Sequence, residues 1–258
     1  MQPKLVSMLP KRLNEAALPT PFVEELLALT TNHTTGSLAS GDCTVVRSPF
    51  IEDALGAVGN GTEADVDEAF RIARSAQKDW AAKPVADRVK VMEQYHKSVV
   101  KRQDLLADLV QLETGKDRTA AFDEVLDVLN NARYYANNAA GFLSTKRRAG
   151  AFPVITSTKE QRFPKGVVGQ ISPWNYPLAL GVSDAIPALL AGNAVVAKPD
   201  SSTPFSAIIA KKLLTNAGLP HDVFQIVTGS GKVVGQAIAQ QCDYLMFTGS
   251  TATGKLLG

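Results

Sequence analysis

The chain has 258 residues, 45% hydrophobic and 20% charged, with a formal net charge of +2. That is the balance of an ordinary soluble globular protein with a full-sized core. The lysines and arginines are spread along the chain, which argues against nucleic acid or an anionic membrane as partner, and no apolar run reaches the roughly 18 to 20 residues of a bilayer span.

The first stretch, residues 1–41, joins the amphipathic piece "PFVEELLALT" to the polar run "TNHTTGSLASGD" and is expected to be an irregular extension. It lacks an apolar secretory core and a small-residue cleavage site, so the default expectation is the cytosol. Two short strands follow in "DCTVVRSPF" and "EDALGAVGNGT". Thr62, with Asp65 three residues on, forms a capping pattern ahead of "VDEAFRIARSAQKDW". Val89, Met92, Leu105, Leu109 and Leu112 recur at helical spacing and predict one long helix from Val85, closed by Gly115. Another helix is predicted from Thr119 to about Leu143, with Leu126, Leu129, Tyr134 and Phe142 at compatible positions. Val154, Thr156 and Thr158 then alternate around a polar tip, which reads as a projecting hairpin.

Beyond Lys165 the signals alternate. "GVVGQIS", "NAVVAKP", "VFQIVTG" and "DYLMFTG" read as buried strands, separated by helical stretches at 181–190, 203–217 and 232–240, with a last helix opening at Thr251. Apolar strands joined by helices imply a parallel sheet covered on both faces. The fold class expected is therefore α/β: a Rossmann-like open parallel sheet with flanking helices and a projecting β-hairpin. Its parts are 1–41, a helical and short-strand part over 42–147, the hairpin over 148–164, and the Rossmann-like part over 165–258.

Open sheets of this kind bind ligands beyond the carboxyl ends of their strands. Four segments meet that description: Ser172, Trp174 and Asn175; Lys198, Asp200 and Ser201; Gly229 and Gly231; Gly249 and Ser250. Asn175 sits between Pro173 and Pro177, on a short stiff segment. Its amide could stabilise an oxyanion or close an Asx-type turn on its own backbone. Lys198 could meet ribose hydroxyls or a phosphate, or be a solvated turn lysine. "GSGKVVG" and "TGSTATGK" place small residues where helices open, as phosphate sites do, although neither matches the dinucleotide fingerprint or the P-loop spacing. Cys43 and Cys242 have neither metal-like spacing nor an activating neighbour, and are expected to be inert.

"PKGVVGQISPWNYPL", "AGNAVVAKPDSSTP", "AGLPHDVFQIVTGSG" and "YLMFTGSTATGK", with the earlier "ETGK" at Glu113–Lys116, together resemble the NAD(P)-dependent aldehyde dehydrogenase superfamily, in its order and spacing. Within it the chain is most similar to succinate-semialdehyde dehydrogenases. The resemblance implies that Asn175 is the side-chain donor of the oxyanion hole, that Trp174 lines the cofactor cleft, that Lys198 binds the adenosine ribose, and that Gly249 and Ser250 lie against the pyrophosphate. Three residues after the lysine, the family's NAD enzymes carry a glutamate; here Ser201 leaves room for a 2′-phosphate. NADP is thus the expected cofactor, with NAD the alternative on account of Asp200.

The family's general base and its cysteine nucleophile come later than "GKLLG", and neither Cys43 nor Cys242 matches the catalytic motif. The chain is therefore expected to be the N-terminal portion of an enzyme that oxidises a small aldehyde through a cysteine thioester, inactive alone and prone to homo-oligomerise through its hairpin. The competing expectations are a non-catalytic nucleotide-binding or interaction protein of the same fold, and a related acyl-phosphate or acyl-CoA reductase.

Overall fold

The computed structural model of the protein describes residues 42–49, 54–152 and 155–257. The expected N-terminal extension and Val154 lie outside those residues.

Strands β1 (Cys43–Arg47) and β2 (Ala54–Gly59) pair antiparallel, as the β-branched runs predict. Helix α1 (Glu63–Ala82) opens on the capping box expected at Thr62: the Thr62 hydroxyl accepts from the Asp65 amide, and the Asp65 carboxylate accepts from the Thr62 amide at 2.8 Å. Two unpaired amides at the helix start are satisfied this way.

The single helix expected from Val85 to Gly115 is two. Helix α2 (Val85–Lys101) ends and α3 (Gln103–Thr114) begins at Arg102, whose φ of −118° and ψ of 20° are not helical. Its amide donates to the Val99 carbonyl, three residues back, while its own carbonyl accepts from Leu106. This tightened turn rotates the apolar stripe, so that Met92, Tyr95 and Val99 of α2 and Leu106, Leu109 and Val110 of α3 are all buried. Gly115 closes α3 in the left-handed region at φ 75°, as expected of a C-cap.

Helix α4 (Arg118–Leu143) occupies the predicted span but turns a different face inward. Leu126, Tyr134 and Phe142 are exposed, and the buried side is Ala121, Val125, Val128, Ala132, Ala136 and Ala139. The larger residues fall on the far side because small side chains let this helix lie close against its neighbours. Strands β3 (Lys146–Arg148) and β4 (Thr158–Glu160) form the hairpin, starting before the expected 148, and Thr156 hydrogen-bonds Phe152 across its tip rather than joining a strand.

Four parallel strands complete the molecule: β5 (Val167–Ile171), β6 (Ala194–Lys198), β7 (Phe224–Ile226) and β8 (Tyr244–Phe247), in the order β7-β6-β5-β8. Between them lie α5 (Ala179–Val182) and α6 (Ala185–Leu190), a split version of one expected helix, then α7 (Phe205–Asn216). A π-turn at Gly231–Gly235 leads into α8 (Gln236–Gln241), and α9 (Thr251–Leu257) follows β8. Every residue of β6 is buried, whereas β8 is an edge strand with Tyr244 exposed. Buried residues of the helices and the sheet form one continuous apolar cluster. The helical layer is also tied to the turn before β6, where Trp80, Arg88 and Gln77 donate to the carbonyls of Leu189, Leu190 and Gly192. Among the described residues no helix is long and apolar enough to cross a membrane.

Candidate functional site

The strand order locates the site. The chain starts at β5, winds outward through β6 and β7, then returns to place β8 on the other side of β5. The winding direction therefore reverses between β5 and β8, and open α/β sheets hold ligands at the carboxyl ends of strands beside such a point. Ile171 and Phe247 pair there, and Thr248 continues the ladder with a 3.1 Å bond to the Ile171 carbonyl.

All four predicted segments leave the sheet along this one edge and are cross-linked. The Ser172 amide donates to Lys198 at 3.2 Å. The Ser201 hydroxyl donates to the Gly229 carbonyl at 2.9 Å, and the Thr203 hydroxyl to the Trp174 carbonyl at 3.4 Å. A Cβ on Gly235 would lie 3.7 Å from Lys198 Cδ and 3.8 Å from Ile171 Cδ1, so the lysine stem runs beside the turn that opens α8.

Three adjoining hollows follow the edge. The largest, about 700 Å³, is mainly apolar and lies between the 230–240 segment and α9, with Ile171, Gly235, Phe247 and Leu256 among its walls. A second, about 450 Å³, is walled by Thr248, Gly249, Ser250 and Lys255. The third, about 230 Å³, is polar and includes Thr44, Asn60, Ser201 and Ser230. Of the residues singled out in the sequence, Gly231, Ser201, Gly249 and Ser250 line hollows. Ser172, Trp174, Asn175, Lys198, Asp200 and Gly229 are not among the walls of these three hollows.

Lys198 is not a solvated turn lysine. Its side chain is 4% exposed and its ammonium donates to the Pro199 carbonyl at 3.0 Å. An ammonium has three donors, so two are left without a protein acceptor among the described residues. Burial pushes its pKa below the ordinary lysine value, opposed by the nearby Asp200 charge. The Asp200 carboxylate faces its own loop, accepting from the Ser202 amide at 2.9 Å and hydroxyl at 2.6 Å.

Ser230 and Ser250 each cap the helical segment they precede, accepting at 3.2 Å from the amides of Val233 and Thr253. Among the described residues, the first-turn amides ahead of those bonds have no acceptor within their own helix, and the helix dipole there favours an anion. Two glycines are required sterically. Gly229 has φ 141° and lies against the Gly61 backbone, and a Cβ on Gly249 would come within 2.6 Å of the Phe247 ring.

Asn175 is exposed, and its amide makes no hydrogen bond among the described residues, so the Asx-turn alternative is not what this loop adopts. The loop around it is held from outside. Glu124 of α4, 54 residues away, accepts from the Leu178 amide at 3.0 Å and the Ala179 amide at 3.1 Å, at the start of α5. Its other oxygen accepts from the Lys116 ammonium at 2.6 Å, and that ammonium sits 3.6 Å from the centre of the Tyr176 ring. Glu113 does the same for α7: it accepts from the Phe205 amide at 2.6 Å and from the Ser206 amide and hydroxyl at 2.8 and 2.5 Å. Burial raises the Glu113 carboxyl to about 7 against the pull of those three donors, and raises Glu124 as well. The "ETGK" stretch therefore works as two anchors on either side of the Gly115 turn. Sequence reasoning assigned no role to Glu113, Lys116 or Glu124; the available signal was an acidic residue at 124, inside the stripe of Ala121, Val125 and Val128.

Neither described thiol reaches this edge. Cys43 is in β1, and Cys242 lies just before the amino end of β8, with its pKa raised by burial. Among the described residues no cluster of His, Cys, Asp or Glu fits a metal ion.

Comparison with known proteins agrees with this architecture. The sequence pattern of the aldehyde dehydrogenase family matches residues 38–258. A protein of Mycolicibacterium smegmatis named "Putative succinate-semialdehyde dehydrogenase (NADP+)" is 53% identical over 212 residues, covering 82% of this chain and 41% of that protein. The crystal structure of a Bacillus halodurans NADP-dependent glyceraldehyde-3-phosphate dehydrogenase complexed with NADP superposes with a TM-score of 0.79 at 31% identity, over 84% of this chain and 47% of that one. A Staphylococcus aureus betaine aldehyde dehydrogenase in complex with NAD+ gives 0.82 at 26% identity, over 92% of this chain and 49% of that one. The chain spans less than half the length of each of these relatives. A family pattern that runs through the sheet, its strand-end loops and the helical layer places the assignment beyond the sheet topology alone: the chain belongs to the aldehyde dehydrogenase family.

Proposed function

We propose that this chain, and residues 165–258 in particular, forms the nicotinamide-dinucleotide cleft and supplies the oxyanion donor of a cytosolic enzyme that oxidises a small aldehyde, succinate semialdehyde by its likeness to the Mycolicibacterium protein, to a carboxylate. The observation that carries the reading is Lys198: a buried ammonium with two donors uncommitted among the described residues, its stem beside the turn that opens α8 and the apolar hollow there. A dinucleotide asks for three things, namely a cation for ribose or phosphate oxygens, an apolar groove for a base, and amides for the pyrophosphate. Held there, a nicotinamide dinucleotide would supply the acceptor for the hydride that leaves the aldehyde carbon. The chain's own part is to hold the ribose at Lys198, seat the pyrophosphate against Gly249 and Ser250, and point the Asn175 amide at the oxygen that develops charge.

The choice of NADP rests on Ser201. Its hydroxyl is tied back to Gly229, it carries no charge, and it opens onto the small polar hollow shared with Ser230. Asp200, the residue that would oppose a phosphate, is engaged with Ser202. Because no described thiol lies at the cleft, we propose that the chain alone binds cofactor without turning over aldehyde. The hairpin carries exposed Phe152, Ile155 and Phe163, at 64%, 83% and 78%, and is proposed to associate with a second copy; a strict monomer in light scattering would count against that.

Calorimetric titration of the 258-residue chain with NADP and with NAD is the test. NADP is expected to bind more tightly than NAD, and Lys198→Met to weaken it by about ten- to a hundredfold, the range for losing hydrogen bonds from a charged donor. Tighter binding of NAD would overturn the Ser201 reading, and aldehyde-dependent NADPH formation by this chain would overturn the proposed inactivity.

A further inference from the structure

Three residues on the far side of Asn175, Tyr176, Leu178 and Ala179, are gripped by one ion pair. Lys116 lies over the Tyr176 ring, and Glu124, fully buried, binds the amides of Leu178 and Ala179 while holding the Lys116 ammonium. On the near side, Thr203 reaches the Trp174 carbonyl. Pro173 and Pro177 stiffen the span between. Among the described residues the side chains of Asn175 and of its neighbour Trp174 make no hydrogen bond, so the loop is held through its backbone and through Tyr176.

We infer that the Lys116–Glu124 pair is a positioning device for the Trp174–Tyr176 loop and sets the direction of the Asn175 amide; the catalytic meaning rests on the oxyanion role proposed above. The two members divide the work. Glu124 satisfies the start of α5, so its removal also exposes unpaired amides and tests stability as much as position. Lys116 makes no contact with the α5 amides. It neutralises Glu124 and presses on Tyr176, a cation over a ring face within the distance where that attraction operates. A substitution at Lys116 thus separates aim from support.

The loop carries its own reporter. The chain has two tryptophans, Trp174 in the loop and Trp80, which is 1% exposed and bonded to Leu189 in the core. With 5-fluorotryptophan incorporated into the full 258-residue chain, fluorine NMR gives two resonances, assigned with Trp174→Phe. Lys116→Met keeps the stem and removes the charge. It is expected to shift and broaden the Trp174 resonance while Trp80 stays in place. Lys116→Arg, which can both pair with a carboxylate and stack on a ring, is expected to restore the original line.

An unchanged Trp174 resonance in Lys116→Met overturns the inference. So does a joint collapse of both resonances toward the unfolded position, which would make the pair a general stability element, and so does failure of the arginine to restore the line. The readout does not depend on catalysis. Loss of the oxyanion assignment leaves it standing, and a silent Trp174 leaves that assignment untouched.

Discussion

The four strand ends that meet at the cleft are built in two different ways. The loops after β5 and β6 are held from a distance: Glu124 and Glu113 reach across 54 and 92 residues to the starts of α5 and α7, which have no side-chain cap of their own. The segments after β7 and β8 hold themselves, each through a serine that caps three residues ahead. The first pair is anchored through buried acids and carries Asn175, which is exposed, and Lys198, which is buried. The second pair is exposed and local, and offers backbone amides, which serve any phosphate oxygen within reach. Under the proposed function, support from afar goes to groups whose direction matters, and local caps go to groups whose presence is enough.

The contrast breaks most visibly at Glu113. Glu113→Ala leaves two buried amides and a buried hydroxyl without their acceptor, and at about 1–3 kcal/mol per unsatisfied group the expected loss is on the order of 4 kcal/mol in chemical denaturation. A loss below 1 kcal/mol would mean that α7 finds another cap, and the distinction between remote and local support would fall.

The buried half also carries a cost, which Lys211 of α7 exposes. It is 1% exposed, and burial lowers its pKa to about 8, with only the Asp222 charge opposing. Between pH 8 and the ordinary lysine value of 10.5, the unfolded chain binds the proton that the folded chain has released, so stability rises with pH across that window and is lowest below it. A shift of this size corresponds to about 3 kcal/mol. Lys211→Met is therefore expected to stabilise the protein near neutral pH by roughly 2 to 3 kcal/mol and to abolish the rise. Denaturation midpoints at pH 7 and pH 10 measure both, and a parent profile flat over that window would refute the assignment.

The smallest effects belong to the self-capped ends. Ser230→Ala and Ser250→Ala are each expected to cost about 1 kcal/mol, the usual worth of an N-cap. Hydrogen exchange should show faster opening confined to 231–241 in one variant and 251–257 in the other. A comparable loss of protection in α5 or α7 would show that the two modes of support are coupled after all.

What was readable in the sequence follows the same division. The Thr62–Asp65 box, the Gly115 cap and the serines before α8 and α9 are contacts within a few residues, and the sequence displays both partners side by side. The four sheet strands were legible because burial on both faces leaves unbroken apolar runs. The break at Arg102 was not, since it carries neither glycine nor proline and exists to rotate one apolar stripe relative to the next. The inward face of α4 was misjudged because size was taken for burial, whereas close helix packing selects Ala121, Ala132, Ala136 and Ala139 and leaves Tyr134 and Phe142 outside. The strand-end positions of Asn175 and Lys198 were legible, but the acids that hold the helices after them were not, because a carboxylate bonded to an amide 54 or 92 residues later leaves no local pattern.

Those long spans also bear on how the chain is made. A polypeptide is synthesised amino end first, so α3 and α4 are made before Leu178 and Phe205 exist. Until then Glu113 and Glu124 face water, and their protonation and hydration are those of surface acids. The helical layer cannot seal around them until the first two strands of the sheet and the loops behind them have been synthesised. A released chain truncated near residue 160 should thus have helices without a locked core, and the step that fixes the cleft should require α7.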